Sequence, residues 1–197
     1  MSDFVYDLIG LAAGVLFILA LKGLSHPRTA RRGNLLGALG AGIATVVVFF
    51  HGDIKNLGWI LGAIAVGTII GVPAARKVQM TQMPQLVALF NGVGGGAAAL
   101  VAIVEYLNLG EKATTAVVIF TVFTVVVGCV SFSGSIVTFL KLQELMTTRP
   151  VVFPGGRFVI AATLAAVLST SVWVVVALGT TPLLVVAGFS LAFGILF

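Results

Sequence analysis

ATTAVVIFTVFTVVVGCVSFSGSIVTFL, residues 113–140, runs from end to end without a charged side chain. As a helix rising 1.5 Å per residue it is about 42 Å long, more than the roughly 30 Å of hydrocarbon in a bilayer. The rest of the sequence is of the same kind. The 197-residue chain is 59% hydrophobic and 9% charged, whereas about a quarter of a soluble domain is charged. A soluble fold of this length cannot hide so much apolar surface, so the solvent of this fold is lipid.

Cutting the sequence at its charged and turn-forming clusters predicts further spans on both sides of this one. They fall at residues 4–21, 33–50, 57–75, 84–106, 113–140, 158–178 and 182–197. The expected fold is an all-α membrane protein, a polytopic bundle of about seven transmembrane helices. The fifth span continues its apolar pattern toward Met146 and is expected to tilt, or to project past the membrane beside Lys141. The last stops at Phe197 with no basic flank, turn or polar tail, which predicts a truncated chain. Asp3 and Asp7 stand where a signal peptide would carry bases, and no cleavage site follows, so the first span reads as a retained helix. No internal repeat or low-complexity linker interrupts the series.

A net charge of +5 would suggest a nucleic-acid partner for a soluble protein, but here the bases sit in loops and no nucleic acid is expected. Lys22, Arg28, Arg31, Arg32, Arg76, Lys77, Lys141, Arg149 and Arg157 fall on one side of the predicted helices. Lys55 and Lys112 fall on the other, with Asp3, Asp7, Asp53, Glu105 and Glu111. The positive-inside rule then predicts an outside N-terminus, with the first, third and fifth loops in the cytoplasm. Pro150, Pro154, Gly155 and Gly156 make the fifth loop a bend between helices. The lone cysteine, Cys129, lies inside an apolar run and reads as a packing residue, with neither a disulfide nor a metal site expected.

Lipid supplies no hydrophobic drive between helices, so small residues that let backbones approach should mark the contacts. Gly33 and Gly37, Gly58 and Gly62, Gly67 and Gly71, and Gly92 and Gly96 are each spaced by four. Two helices carry a more pointed pattern. Asn91, Gly95, Ala98, Ala102 and Glu105 line one face of the fourth, and Thr121, Thr124, Gly128, Ser131, Ser135 and Thr138 line one face of the fifth. Two such stripes facing each other either pack tightly or enclose a file of water. The hydroxyls have a ready alternative in the carbonyl one turn back. Asn91 does not: its amide lies about 10 Å into the helix from Pro84 and needs a partner or water.

Other functions leave different marks. No G-x-G-x-x-G turn between a strand and a helix is present, so this chain is expected to bind no dinucleotide itself. GVGGG at residues 92–96 lies inside a span and lacks the Lys and Ser or Thr of a phosphate loop. A secondary transporter would show broken helices near mid-membrane and matching halves, but Pro73 and Pro84 lie at predicted helix ends and no halves match. A structural anchor whose stripes only pack is the third reading.

The run RKVQMTQMPQLVALFNGVGGGAAALVAIVEY, residues 76–106, resembles the signature of the β subunit of proton-translocating NAD(P) transhydrogenase. NLGWILGAIAVGTIIG from Asn56, SFSGSIVTFLKLQELM from Ser131 and GLSHPRTARRGN from Gly23 agree with it, so the resemblance covers essentially the whole chain. It implies a membrane domain that moves protons while hydride passes between NAD(H) and NADP(H) held in soluble domains. The implied partners are the α subunit, with its membrane and NAD-binding components, a soluble NADP-binding domain at the β subunit's C-terminus, and a second complete unit in a homodimer. A multi-pass place in the bacterial inner membrane, with the N-terminus outside, is implied as well.

Members of this family often carry a histidine, associated with the proton pathway, where this sequence has Asn91. The serine of the family's fifth β helix, likewise associated with the pathway, matches Ser135, and a further pathway asparagine falls beyond Phe197. An amide does not titrate near neutral pH, whereas imidazole does. The histidines here, His26 and His51, lie in loops on opposite sides. Within the hydrocarbon the one titratable group left is Glu105, near the outer end of its helix. The expected pathway residues are therefore Asn91, Ser131, Ser135 and Glu105, with the titrating group supplied from outside this stretch. In members with Asn at this position, the resemblance places the equivalent histidine on a helix of the α component.

Overall fold

The computed structural model describes residues 3–50, 54, 56–147 and 154–196. His51, Asp53, Lys55, Arg149, Pro150 and Phe197 lie outside the described residues, as do the side chains of Asp3 and Glu111. Among the described residues there are seven α-helices and two short 3₁₀ turns, with no strand. The helices are α1 (Asp3–Leu24), α2 (Ala30–Val48), α3 (Leu57–Lys77), α4 (Met83–Leu109), α5 (Thr115–Leu142), α6 (Gly156–Ala177) and α7 (Thr180–Leu196). Each coincides with a predicted span to within a few residues. Five, α1 and α3 to α6, are long and apolar enough to cross a membrane. In α2 the first turn is occupied by Arg31 and Arg32, and α7 has 17 described residues.

The chain divides into two compact units, Met1–Gly71 and Val72–Phe197. In the first, α1 and α2 pack as an antiparallel pair. Their contact is backbone on backbone at Gly23 and Gly33, where a Cβ on Gly23 would lie 2.7 Å from the Gly33 Cα. Hydroxyls close the turn between them: Thr29 Oγ1 donates to the Gly23 carbonyl at 2.7 Å and Ser25 Oγ to that of Lys22 at 2.7 Å. Ala13, Ala20 and Val47 are buried in the seam. The glycines of α3 behave otherwise. Gly58, Gly62, Gly67 and Gly71 have open space where a side chain would go, and no residue of α3 is buried. Pro73 lies inside α3, not at its end, because the helix runs on to Lys77.

In the second unit α5 is the central helix, packed on α4, on α7 and to a lesser extent on α6. Val118, Val122, Val125 and Cys129 of α5 are buried with Ala99 and Tyr106 of α4 and Leu183 and Val186 of α7. Local chemistry fixes the ends. Pro84 occupies the first turn of α4, where a missing N–H costs nothing. Thr114 caps α5 by accepting from the Val117 N–H at 3.4 Å. The link between α4 and α5 turns at Gly110, whose φ of 52° and ψ of −129° suit a residue without a Cβ. Gly155, at φ 82°, starts α6.

Large apolar side chains face outward, among them Ile18, Ile69, Val101, Phe120, Phe123 and Val176. Inside, valines and alanines are joined by hydroxylated residues, including Ser133, Ser135 and Ser190. In water such an exterior would drive aggregation. In a bilayer it is the solvated surface, and the protein is an all-α, multi-pass membrane protein.

Candidate functional site

Asn91 lies two turns into α4, and Ser131 and Ser135 stand one turn apart on α5. Glycine brings them together. A Cβ on Gly95 would lie 2.8 Å from the Ser131 Cβ, and one on Gly128 would lie 2.5 Å from the Gly95 carbonyl oxygen and 2.9 Å from the Ala99 Cβ. The two backbones can approach this closely only with glycine at both positions. At that separation the short side chains of asparagine and serine span the gap.

The Asn91 amide uses both of its N–H hydrogens across the seam. Nδ2 donates to Ser131 Oγ at 3.0 Å and to Ser135 Oγ at 2.8 Å. The carbonyl oxygen of the same amide accepts no hydrogen bond among the described residues. Ser135 is buried while Asn91 is exposed, so the cluster sits at the edge of the seam. An amide oxygen facing hydrocarbon is costly, and it calls for a donor from water or another helix. Each serine oxygen accepts from Asn91 and so keeps its own hydrogen free to donate onward.

Other members of the two stripes play simpler parts. Thr124 and Thr138 donate to the carbonyls of Phe120 and Gly134, one turn back, at 2.8 Å each. Ser133, flanked by the same glycine as Ser135, turns the other way: it donates to the Cys129 carbonyl at 3.0 Å and lies against Gly194 of α7. On α4 the face toward α5 is Gly92, Gly95, Ala99 and Tyr106, whereas Ala98 and Glu105 are exposed. The predicted stripe thus meets α5 at Asn91 and Gly95, and Ala102 packs partly buried against the core cluster, while Ala98 and Glu105 face away. Glu105 is fourteen residues beyond Asn91, about 21 Å along the helix, and belongs to no common cluster with it. The GVGGG run is helical throughout. No group of three His, Cys, Asp or Glu side chains that could hold a metal is found among the described residues.

Two features have no counterpart in the stripes. At the start of α4, Gln85 Nε2 donates to the Leu142 carbonyl at 2.6 Å, and its Oε1 accepts from Gln143 Nε2 at 2.9 Å. The partners are 57 and 58 residues away in sequence, so no local pattern announces them. On α7, Ser190 is fully buried and its hydroxyl has no hydrogen-bond partner among the described residues.

Residues 6–197 match the family described as NAD(P) transhydrogenase beta subunit. Two relatives, both named NAD(P) transhydrogenase subunit beta and both from Rhodospirillum rubrum, are 43% identical to the chain over 151 residues. That alignment covers 73% of this chain and 32% of each relative. The chain thus spans about a third of the length of the curated relatives it matches.

Proposed function

Because the chain belongs to the NAD(P) transhydrogenase beta subunit family, we propose that it carries protons across the membrane along the α4–α5 seam, coupled to hydride transfer between NAD(H) and NADP(H). The described residues form helices alone, which offers neither nucleotide a strand-turn-helix cradle. The family resemblance assigns both to soluble components, NAD(H) to the α subunit and NADP(H) to a further domain of the β subunit. The base distribution supports a cytoplasmic Lys77 end of the helices and an outside N-terminus, and the family resemblance points to a bacterial inner membrane.

One observation carries this reading. An exposed amide on a membrane-spanning helix is held by two serines at 3.0 and 2.8 Å, and its acceptor oxygen is unpaired among the described residues. The arrangement gives the hydrogen bonds a direction. An outside donor meets the Asn91 oxygen, the Asn91 N–H groups point to the serine oxygens, and the serine O–H groups point to the next acceptor. Asn91 itself cannot carry the charge, because an amide does not titrate near neutral pH. Its part is to orient water and the neighbouring donor, while an imidazole on a helix of the α component takes up and releases the proton. Glu105, exposed toward the far end of α4, collects protons at the outer mouth.

Pumping and hydride transfer by Asn91→Leu and Ser135→Ala variants of the complete enzyme test this. Both variants are expected to lose proton translocation, and full coupled pumping in both overturns the reading. The tight Gly95–Gly128 contact supports a second reading, in which Asn91 only clamps α4 to α5. In that case the variants lose stability while each hydride transferred still moves its usual number of protons.

A further inference from the structure

The Gln85 bridge lies beside a cavity of about 240 Å³ at the Lys77 end of the α4–α5 seam. Lys77, Gln82, Gln85 and Gln143 supply its polar lining, and Leu86 and Phe139 are among its apolar wall. A water occupies about 30 Å³ in the liquid, so the space and its polar groups suit several waters. Leu86 precedes Asn91 by five residues and Phe139 follows Ser135 by four, about 7.5 and 6 Å along their helices. Nothing ionisable lies in either interval, which reads Val, Ala, Leu, Phe on α4 and Ile, Val, Thr on α5.

We propose that this cavity is a water-filled vestibule leading to the Asn91 cluster, and that Leu86 and Phe139 form an apolar gate between them. The proposal rests on the proton-path reading above and adds the point at which the path closes. A narrow apolar passage stops water by dewetting, and with it the protons that water carries. Gln85 holds the gate shut. Its bond to the Leu142 carbonyl uses an acceptor left free at the end of α5, and its bond from Gln143 grips the residue whose own N–H is bonded to the Phe139 carbonyl at 2.9 Å. Gln85 is also the chain neighbour of Leu86, so one side chain fixes both halves of the gate. Separating the end of α5 from the start of α4 breaks both bonds together and lets the vestibule reach the cluster.

The test is thiol labelling in the complete enzyme, freed of other cysteines and carrying Cys129→Ala, with a membrane-impermeant methanethiosulfonate applied from the Lys77 face. Gln82→Cys, in the vestibule wall, is expected to react quickly. Ser135→Cys, buried beyond the gate, should react at least about tenfold more slowly, because an open gate is a minority state of roughly 10% or below. Adding Phe139→Ala or Gln85→Leu should bring Ser135→Cys to within about twofold of Gln82→Cys, since the minority state then dominates. Equal labelling of both sites without these additions, or slow labelling of Ser135→Cys that neither addition relieves, overturns the proposal. Passive proton leak through vesicles gives a second measure, expected to rise in Gln85→Leu and Phe139→Ala, and an unchanged leak in both counts against the gate. Failure of the underlying reading looks different. Labelling as expected with Asn91→Leu and Ser135→Ala pumping fully removes the path and leaves the vestibule, whereas impaired pumping without the labelling pattern removes the gate alone.

Discussion

Replacing Gly128 with alanine tests whether close backbone approach builds the site. A Cβ there meets the Gly95 carbonyl oxygen at 2.5 Å, against 3.4 Å for ordinary contact, so the helices must separate by about 0.9 Å. The obstacle is backbone on a packed helix, which cannot swing aside as a side chain can. A displacement of that size along the interhelical direction takes the Asn91 bonds from 3.0 and 2.8 Å to about 3.9 and 3.7 Å, beyond the roughly 3.2 Å of an effective N–H···O bond. Overpacking costs about 1–3 kcal/mol, and lost interhelical hydrogen bonds in a membrane add about 0.6 kcal/mol each. Gly94 is the control. It lies on the same helix as Gly95, with nothing within 4 Å of the place a methyl would take, and alanine there should be neutral or better by roughly 0.5–1 kcal/mol through helix propensity. Thermal denaturation of the complete enzyme should therefore show a lowered midpoint for Gly128→Ala and no lowering for Gly94→Ala, with proton pumping impaired in the first alone. Equal midpoints and equal pumping in the two variants refute the steric argument.

Two further outcomes are expected. Ser190→Ala removes a fully buried hydroxyl that has no partner among the described residues; since an unsatisfied buried group costs about 1–3 kcal/mol, the thermal midpoint of the complete enzyme should rise, and a fall would show that the hydroxyl is satisfied there. Cysteines replacing Ser25, between α1 and α2, and Lys112, between α4 and α5, should react with an impermeant thiol reagent from opposite faces, Ser25→Cys from the cytoplasmic one; labelling of both from one face contradicts the assigned topology.

The helices were legible in the sequence because apolar length alone separates lipid from water, and residues 113–140 make that case without help. The small-residue stripes found the α4–α5 seam for the same reason: glycine at steps of three and four has few uses in a membrane helix other than contact. Periodicity reaches its limit at Ala98 and Glu105. It assigns a whole face, but two helices that cross share only part of it, and the contact on α4 passes to Ala99 and Tyr106. The glycine pairs of α3 satisfy the same spacing, yet a Cβ on any of them would meet nothing within 4 Å among the described residues. Spacing marks a surface suited to packing, and the neighbour is not written in it. Ser133 and Ser135, alike in sequence and two residues apart, point to different helices because a helix turns about 200° between them. The Gln85 bridge was invisible since its partners are fixed only once α5 has folded back along α4.

That fold-back also bears on how the chain enters the membrane. Only residues 110–114 separate α4 from α5, so the two form a helical hairpin whose contacts are local and close early. A lone α4 would have to present the Asn91 amide to hydrocarbon during insertion, at the expense that any unpaired polar group carries there. Inserted as a hairpin, it arrives with Ser131 and Ser135 already opposite, and the short link with its single lysine is all that must be translocated. The turn at Gly110 is in this sense part of the site, since it lets the polar groups satisfy one another before lipid is reached.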